Sequence, residues 1–455
     1  MEGLVLKMIE THPLRKLTVA GAVAAMLCAA ALPMSAGAAA AETAADYALF
    51  LEEKLDIDFE ASTTKGAFLE AIREALELDA TTVKVSFEDV SSDSPYYTAA
   101  AALYGAGIIT STTVQPESTL SAPNAVYLAV KASGLKELAY SYPAEKANAA
   151  LTEAGLKPSA YSAQAAKELA AAIDVGLLPA EYVADVAQGV PASPALLDTL
   201  LGKTLAFNDK YKHYLGSVSD ADIYVKLQDA YRTSDLIKAP ELQEVVDTAL
   251  KQDLLTGYNL KDSRYDPNFV DALSLTYGHD NLKHAIQLIG LLRSEGLDAK
   301  VQFEPKTSAF IYLKEWGEPS QSDSYQVVQI ENGNYIAYAK EYDISFEFET
   351  AADKAKFQDV VLAYAKKNSE DATGLIASSW WQPLYYSFTE LEGYDLITNN
   401  KIEGDGPYYA QSFSLNDKSE GIVDGFEALN GDVEVETYEF WVDPPFYRYL
   451  NGESL

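Results

Sequence analysis

Two hydrophobic patterns divide the chain into two halves. In the first half, residues 42–255, apolar residues recur three or four positions apart, as Phe68, Ile72 and Leu76 do. This spacing predicts amphipathic helices with one buried face. In the second half, residues 256–455, apolar and polar residues alternate in short segments, which is the pattern of half-buried strands. The pattern therefore predicts a multidomain protein with an all-α first half.

The second half is predicted to be an α+β domain with a mostly antiparallel sheet. Helices are predicted at residues 280–295, after the capping residue Thr350, and near residues 421–429. Strands alternate with these helices without the regular βαβ order of a parallel sheet. The predicted strands are residues 299–304, 342–349, 375–379, 385–389, 408–415 and 433–442.

Residues 1–41 have the composition of a secretory signal peptide. Arg15 and Lys16 precede the uncharged residues 17–32, and Pro33 and the small residues 35–41 follow them. This order predicts export and cleavage. The alternative is a retained membrane anchor, but the apolar run is shorter than the roughly 20 residues of a spanning helix. Once the leader is removed, no membrane contact is expected.

Composition excludes several classes of function. The chain carries 34 Lys and Arg against 68 Asp and Glu, a formal net charge of -34, which argues against nucleic-acid binding. Its single cysteine, Cys28, lies in the predicted signal peptide, so the mature chain has no disulfide or cysteine-ligated zinc. With 22% charged and 48% hydrophobic residues, the chain has a globular composition.

One stretch of the first half carries a family motif. Residues 87–90 read Phe-Glu-Asp-Val, and an aromatic pair, an Ala-rich helix, residues 107–109 (Gly-Ile-Ile) and a proline-containing loop follow. This order resembles the S-layer homology domain. Residues 64–68 are similar to the second half of a preceding unit, and residues 165–195 and 218–242 carry weaker traces. Repeated helix-loop-helix units of this kind bury their faces against their neighbours.

The resemblance implies a fold and a ligand. The fold would be a three-fold arrangement of helical hairpins, and its grooves would bind a polymer linked to peptidoglycan. The matching positions for polymer binding are Lys65, Asp89 and Tyr96. Where the family has Thr-Arg-Ala-Glu, residues 121–124 read Ser-Ala-Pro-Asn and lose both the cation and the carboxylate. We therefore expect polymer binding to be weaker than in intact family members.

Catalytic motifs are not found in the sequence. It lacks the nucleophile elbow, the dinucleotide and phosphate-binding glycine motifs and the calcium loop. His279 and His284 are five residues apart, which is the wrong spacing for a metal pair, so Asp280 is expected to cap a helix and His284 to be partly exposed. Glu347 and Glu349 share one face of a strand, where a solvated polar face is expected. The sequence thus predicts no catalytic residues, metal or cofactor.

Aromatic residues are the remaining candidates for a binding surface. All four tryptophans lie in the second half. Neighbours on a strand point to opposite faces, so one of Trp380 and Trp381 is expected in the core and the other against a glycan or peptide ligand.

Together these patterns predict a secreted, non-enzymatic protein of the Gram-positive cell wall or extracellular surface. It would associate with a wall polymer through its first half and present the second half to a ligand. The alternatives are a wall-active carbohydrate hydrolase that uses two carboxylates, and a structural S-layer subunit.

We predict that the exported protein begins between residues 37 and 42, because small residues suited to signal peptidase occupy positions 35–41. N-terminal sequencing of the secreted protein tests this. Recovery of a chain that still begins at Met1 or Met8 would contradict it.

Overall fold

The computed structural model describes residues 42–364, 384–404, 406–430, 433–451 and 453. The predicted signal peptide, the predicted strand at residues 375–379 and both Trp380 and Trp381 lie outside these residues.

The first half is helical, as predicted. Its helices are α1 (Ala44–Leu55), α2 (Lys65–Ala75), α3 (Tyr97–Gly105), α4 (Ala122–Ala132), α5 (Lys136–Ser141), α6 (Ala144–Glu153), α7 (Ala163–Asp174), α8 (Val183–Gln188), α9 (Pro194–Phe207), α10 (Ile223–Thr233) and α11 (Pro240–Lys251). Among the described residues of this half, the only strand is the two-residue β1 (Gly216–Ser217). Phe87, Leu103 and Ile108 are buried, whereas Ile109 is partly buried against the same core.

Helix α9 lies at the centre of the first core. Leu197, Leu200 and Leu201 are fully or almost fully buried, and Ser193 caps the helix by accepting a hydrogen bond from the Leu196 N–H at 3.3 Å. Helix α1 packs closely against it. A Cβ atom at Gly202 would lie 2.1 Å from Cδ1 of Tyr47, so only glycine allows this approach.

Between residues 211 and 218 the chain passes from one hydrophobic core to another. Tyr211 belongs to the core of the first helices, and Val218 belongs to a core shared with the sheet. Helix α10 packs on the sheet through Ile223 and Leu227, and α11 packs on it through a separate cluster. These two helices therefore cover the sheet, although their sequence belongs to the helical pattern.

The second half contains an antiparallel sheet, as predicted. Its strands are β2 (Gly257–Asp262), β3 (Ser274–His279), β4 (Ala299–Tyr312), β5 (Tyr325–Gln329), β6 (Tyr335–Phe348), β7 (Leu384–Ser387), β8 (Asp395–Glu403), β9 (Tyr408–Ser414) and β10 (Val435–Val442). The order β4-β2-β9-β8-β10-β7-β3-β6 ends with β6 paired to β4. Eight strands thus form a closed sheet, while β1 and β5 pair outside this cycle.

Four further helices pack around the closed sheet. They are α12 (Leu282–Ser294), α13 (Ala351–Tyr364), α14 (Asn416–Leu429) and α15 (Pro444–Leu450). Thr350 caps α13 as predicted, since its Oγ1 accepts a hydrogen bond from the Asp353 N–H at 3.1 Å. The predicted cap of α12 was wrong, because Asn281 and not Asp280 is its N-cap.

Alternation along β4 and β6 separates an apolar outer face from a polar inner face. On β4, Val301 and Phe303 share a core with residues of α12 and α13, so they face outward. Glu304, the residue after Phe303, therefore lies on the inner face, where it is paired in register with Asp343 of β6. Charged side chains on these two strands therefore point into the closed sheet, because the helices cover its apolar face.

A buried carboxylate joins the two halves. Glu347 of β6 is 2% exposed, and its Oε1 lies 2.9 Å from Nζ of Lys212 and 2.8 Å from Nζ of Lys300. Its Oε2 accepts a hydrogen bond from the Val270 N–H at 2.9 Å. The expectation that Glu347 lies on a solvated face was wrong, because that face is the interior of the closed sheet. Glu349, beyond the end of the strand, is exposed.

We predict that Glu347→Gln destabilises the protein by about 3 kcal/mol, because the buried ammonium group of Lys212 and the partly buried one of Lys300 lose their nearest carboxylate and keep only Glu42. Glu349→Gln makes the same chemical change at an exposed position and should leave unfolding unchanged. Urea unfolding of both variants tests this. Equal stability of the two variants would show that the junction does not depend on Glu347.

Candidate binding sites

Four charged residues form an ion cluster inside the closed sheet. Nζ of Lys261 on β2 lies 2.6 Å from Oε2 of Glu304 and 3.1 Å from Oδ2 of Asp343. Nζ of Lys306 lies 2.7 Å from the other oxygen of Asp343. All four side chains are buried. We call these four residues the interior ion cluster.

The environment shifts the pKa values of the two carboxylates of this cluster in opposite directions. Burial raises the pKa of Glu304, although Lys261 opposes the rise. Burial also acts to raise the pKa of Asp343, but Lys306 and Lys261 together hold it below the usual value. Burial opposes the charge of Lys261, yet Glu304 and the other neighbouring acids raise its pKa well above 10.5. Each charge is therefore stabilised by its partner and not by solvent.

A cavity of about 250 Å³ lies beside the interior ion cluster. Tyr409 closes part of it and donates a hydrogen bond to Oδ1 of Asp266 at 2.8 Å. Nε2 of Gln411 donates to the Tyr438 hydroxyl at 3.0 Å. Further lining residues are Lys54, Pro267, Asn268, Phe269, Asp271, Ser274, Thr276, Ser345, Tyr386, Phe388, Lys401 and Glu436. The cavity is thus polar with aromatic walls.

A larger groove lies outside the sheet. It measures about 600 Å³ and runs along the segment that joins α10 to α11, opposite Pro305 and Tyr408. Lys340 does not enter it as a free cation, because its Nζ lies over the Tyr231 ring and donates to the Tyr231 carbonyl at 2.7 Å.

The three residues predicted to bind a polymer converge in the helical half. Lys65 is the first residue of α2, and Tyr96 is the N-cap of α3. A Cβ atom at Gly66 would lie 2.7 Å from Cδ1 of Tyr96 and 2.9 Å from Cβ of Pro116, so the Tyr96 ring packs directly on the start of α2. We call Lys65, Asp89 and Tyr96 the Lys65 site.

Asp89 fixes the loop beside the Lys65 site. Its two carboxylate oxygens accept hydrogen bonds from the N–H groups of Val114 at 2.8 Å and Gln115 at 2.6 Å. These backbone bonds, with Lys65 nearby, lower the pKa of Asp89. Asp89 therefore holds the loop and also supplies a negative charge that faces Lys65.

Lys65 is half-buried, and its ammonium group has no hydrogen-bond or ion-pair partner within the part of the chain that the structure describes, although its backbone N–H donates to the Ser118 carbonyl at 2.9 Å. Burial lowers the pKa of Lys65, Asp89 opposes this, and Lys131 of α4 lowers it further. Lys131 itself lies 3.6 Å from Glu168. Two ammonium groups thus act on one another at a partly desolvated position, where an added anion would be favoured.

No family model and no curated protein matches the chain.

The histidine pair is buried, which corrects the expected exposure of His284. His279 and His284 are 3% and 6% exposed, and Nδ1 of His284 lies 3.1 Å from Nε2 of His279. Oδ1 of Asp280 lies 2.8 Å from Nδ1 of His279, so Asp280 orients a histidine and does not cap α12. Across the described ranges, no three His, Cys, Asp or Glu side chains form a group that could hold a metal ion.

No helix among the described residues combines the length and the apolar character that crossing a membrane requires. Of the two tryptophans that can be placed, Trp316 is 57% exposed beside Tyr312, and Trp441 packs partly buried against the sheet core.

Sequence reasoning missed the interior ion cluster. The signal was present on β4, where Lys300, Gln302, Glu304 and Lys306 alternate with mainly apolar residues. Such a polar face was assigned to solvent because nothing in the local pattern indicates that the sheet closes.

We predict that His284 remains neutral in the folded protein down to a pH of about 4. Burial, followed by His279, lowers the pKa of His284 to about 4, and Asp280 only partly opposes this. The contribution of neutral His284 to stability is then fully present above pH 6.5 and decreases as the pH falls from 6.5 towards 4. An NMR titration of the imidazole protons tests this, and a midpoint near that of free histidine would contradict it.

Proposed function

We propose that the protein is exported to a Gram-positive cell surface and associates with an anionic polymer of the wall through the Lys65 site. Its second half would then hold a ligand at the surface. The observation that carries the proposal is the half-buried, unpartnered ammonium group of Lys65 beside Tyr96 and Asp89.

The chemistry of this site suits a sugar acid. A carboxylate or phosphate of a polymer would form a charge-assisted hydrogen bond with Lys65, which is stronger than a neutral hydrogen bond. Lys131 adds a second cation at the same position. The Tyr96 ring offers an apolar face with a polar end, which suits a sugar ring. Asp89 is exposed and can accept a hydrogen bond from a sugar hydroxyl at the edge of the site.

The arrangement of three helix starts supports the resemblance to S-layer homology domains. Isolated β-bridges pair Thr64 with Thr119 and Ser121 with Pro191. These bridges bring together the segments that precede α2, α4 and α9. Only α2 begins with a cation, whereas α4 begins with residues 122–124 (Ala-Pro-Asn) and α9 with residues 194–196 (Pro-Ala-Leu). We infer one working groove and modest affinity.

The buried carboxylates do not favour a hydrolase. Glu304 and Asp343 are both held by lysine ammonium groups inside the sheet. A general acid and a nucleophile must flank the same glycosidic bond, whereas only Glu304 borders the cavity and Asp343 does not. These residues act as counterions instead.

We predict that Lys65→Ala in the mature chain weakens binding to purified peptidoglycan sacculi about tenfold or more, since a charge-assisted hydrogen bond is lost. Co-sedimentation at low and moderate salt gives the affinity. The matched control is Lys84→Ala, which removes the same charge at an exposed position.

Two outcomes would contradict the proposal. One is wild-type affinity of Lys65→Ala, and the other is an equal loss in Lys65→Ala and Lys84→Ala, which would indicate non-specific charge attraction. Sacculi stripped of their anionic polymer should bind neither the wild type nor the variants.

A further inference from the structure

We propose that the cavity inside the closed sheet binds a neutral, hydroxyl-rich ligand of the size of one monosaccharide. This inference deepens the part of the proposed function that gives the second half a ligand. It rests on residues separate from the Lys65 site.

The charges that line the cavity are already compensated. Nζ of Lys261 lies 2.6 Å from Glu304. Two more lysines border the cavity, and each has its own carboxylate: Lys54 lies 2.7 Å from Asp271, and Lys401 lies 3.3 Å from Glu436. A charged ligand would have to be desolvated without a free counterion, which is unfavourable in a buried site. The cavity therefore favours an uncharged molecule.

One lining group without a protein partner remains at this site. Tyr386 lines the cavity, and its hydroxyl makes no hydrogen bond to any described residue. Behind the cavity wall, Asn399 is fully buried, and its Nδ2 and Oδ1 have no partner at hydrogen-bonding distance among the described residues. The Tyr386 hydroxyl is therefore the unpartnered group that a ligand in the cavity can reach.

The register places Asn399 beside the cavity. It pairs with Tyr438 on one side and with Phe413 on the other, and this face of the strands points into the closed sheet. Tyr438 lines the cavity; burial raises its pKa, and Lys261, followed by Asn399, opposes the rise. The Asn399 amide thus supports a cavity-lining tyrosine and does not itself line the cavity.

The groups that line the cavity favour a ligand that both donates and accepts hydrogen bonds. Tyrosine hydroxyls do both, the Gln411 amide presents separate donors and acceptors, and the Glu304 carboxylate only accepts. Sugar hydroxyls can meet all three types. The rings of Tyr386, Tyr409 and Tyr438 supply apolar surface for the C–H face of a sugar ring.

The volume limits the size of the ligand. A cavity of about 250 Å³ holds the liquid volume of roughly eight water molecules, which suits one sugar ring and excludes a long oligosaccharide. Lys54 of α1 borders the cavity, so the helical half forms part of its wall.

Calorimetric titration of the mature wild-type chain tests the proposal. The probes are glucose, galactose and N-acetylglucosamine, with glucuronate and glucosamine as charged counterparts. We expect saturable binding of at least one neutral sugar and no tighter binding of a charged one. If all three neutral sugars fail to bind, or a charged sugar binds more tightly, the inference is overturned.

Two variants locate the binding. Tyr386→Phe removes a hydroxyl that has no protein partner, so it should leave thermal stability unchanged and weaken sugar binding about fivefold to tenfold. Asn399→Leu removes an unsatisfied buried amide, so it should raise the thermal midpoint, and sugar binding should fall because the cavity-lining Tyr438 loses the residue that supports it. Tyr449→Phe, at an exposed ring, is the control. Unchanged sugar binding in both cavity variants would place the ligand elsewhere and overturn the inference.

The two proposals fail separately. Lys65→Ala should leave sugar binding intact, and Tyr386→Phe should leave sacculus binding intact. Loss of both activities in either variant would show that the sites are not distinct.

Discussion

The closed sheet depends on pairing of charges in its interior. Two lysines and two carboxylates occupy neighbouring inward positions of β2, β4 and β6, at distances of 2.6 to 3.1 Å. Removing one such group would leave a buried charge without a counterion, which costs far more than the pair contributes. The apolar outer face can then be covered by α10 to α14 while the interior around these charges stays polar; the inward residues Ile397, Phe413 and Phe440 form a separate apolar cluster. At the junction with the helical half, Glu347 is likewise paired with Lys212 and Lys300.

The polar interior also explains where binding is expected. The cavity inside this sheet is lined by polar groups, among them the Tyr386 hydroxyl, which has no hydrogen-bond partner among the described residues. The helical half offers a different type of site, in which one half-buried cation lies at the start of α2 and the Tyr96 ring packs on the next residue, Gly66. The ligands that we propose for the two sites are therefore neutral and anionic respectively.

The sequence predicted those elements whose pattern is local. Residues 342–349 alternate cleanly, and they form the end of β6 and the residue beyond it. Strand β8 was missed because each of its two faces carries both polar and apolar residues. On its outer face, Thr398 donates a hydrogen bond to Asn416 at 2.8 Å, and Asn400 accepts one from Ser419 at 2.6 Å, so α14 covers polar residues there. The sheet closes because β4 pairs with both β2 and β6. No pattern within a single strand indicates this pairing. The Lys65 site was predicted from a motif, whereas the interior ion cluster requires the register of three strands.

The most direct measurement is a double-mutant cycle between Lys261 and Glu304, followed by urea unfolding of the mature chain. The account predicts that Lys261→Met and Glu304→Gln are each strongly destabilising. The double variant should be more stable than the sum of the single changes implies, by about 1–3 kcal/mol. Additive changes, within about 0.5 kcal/mol, would show that the two groups do not interact in the folded protein and would contradict the account.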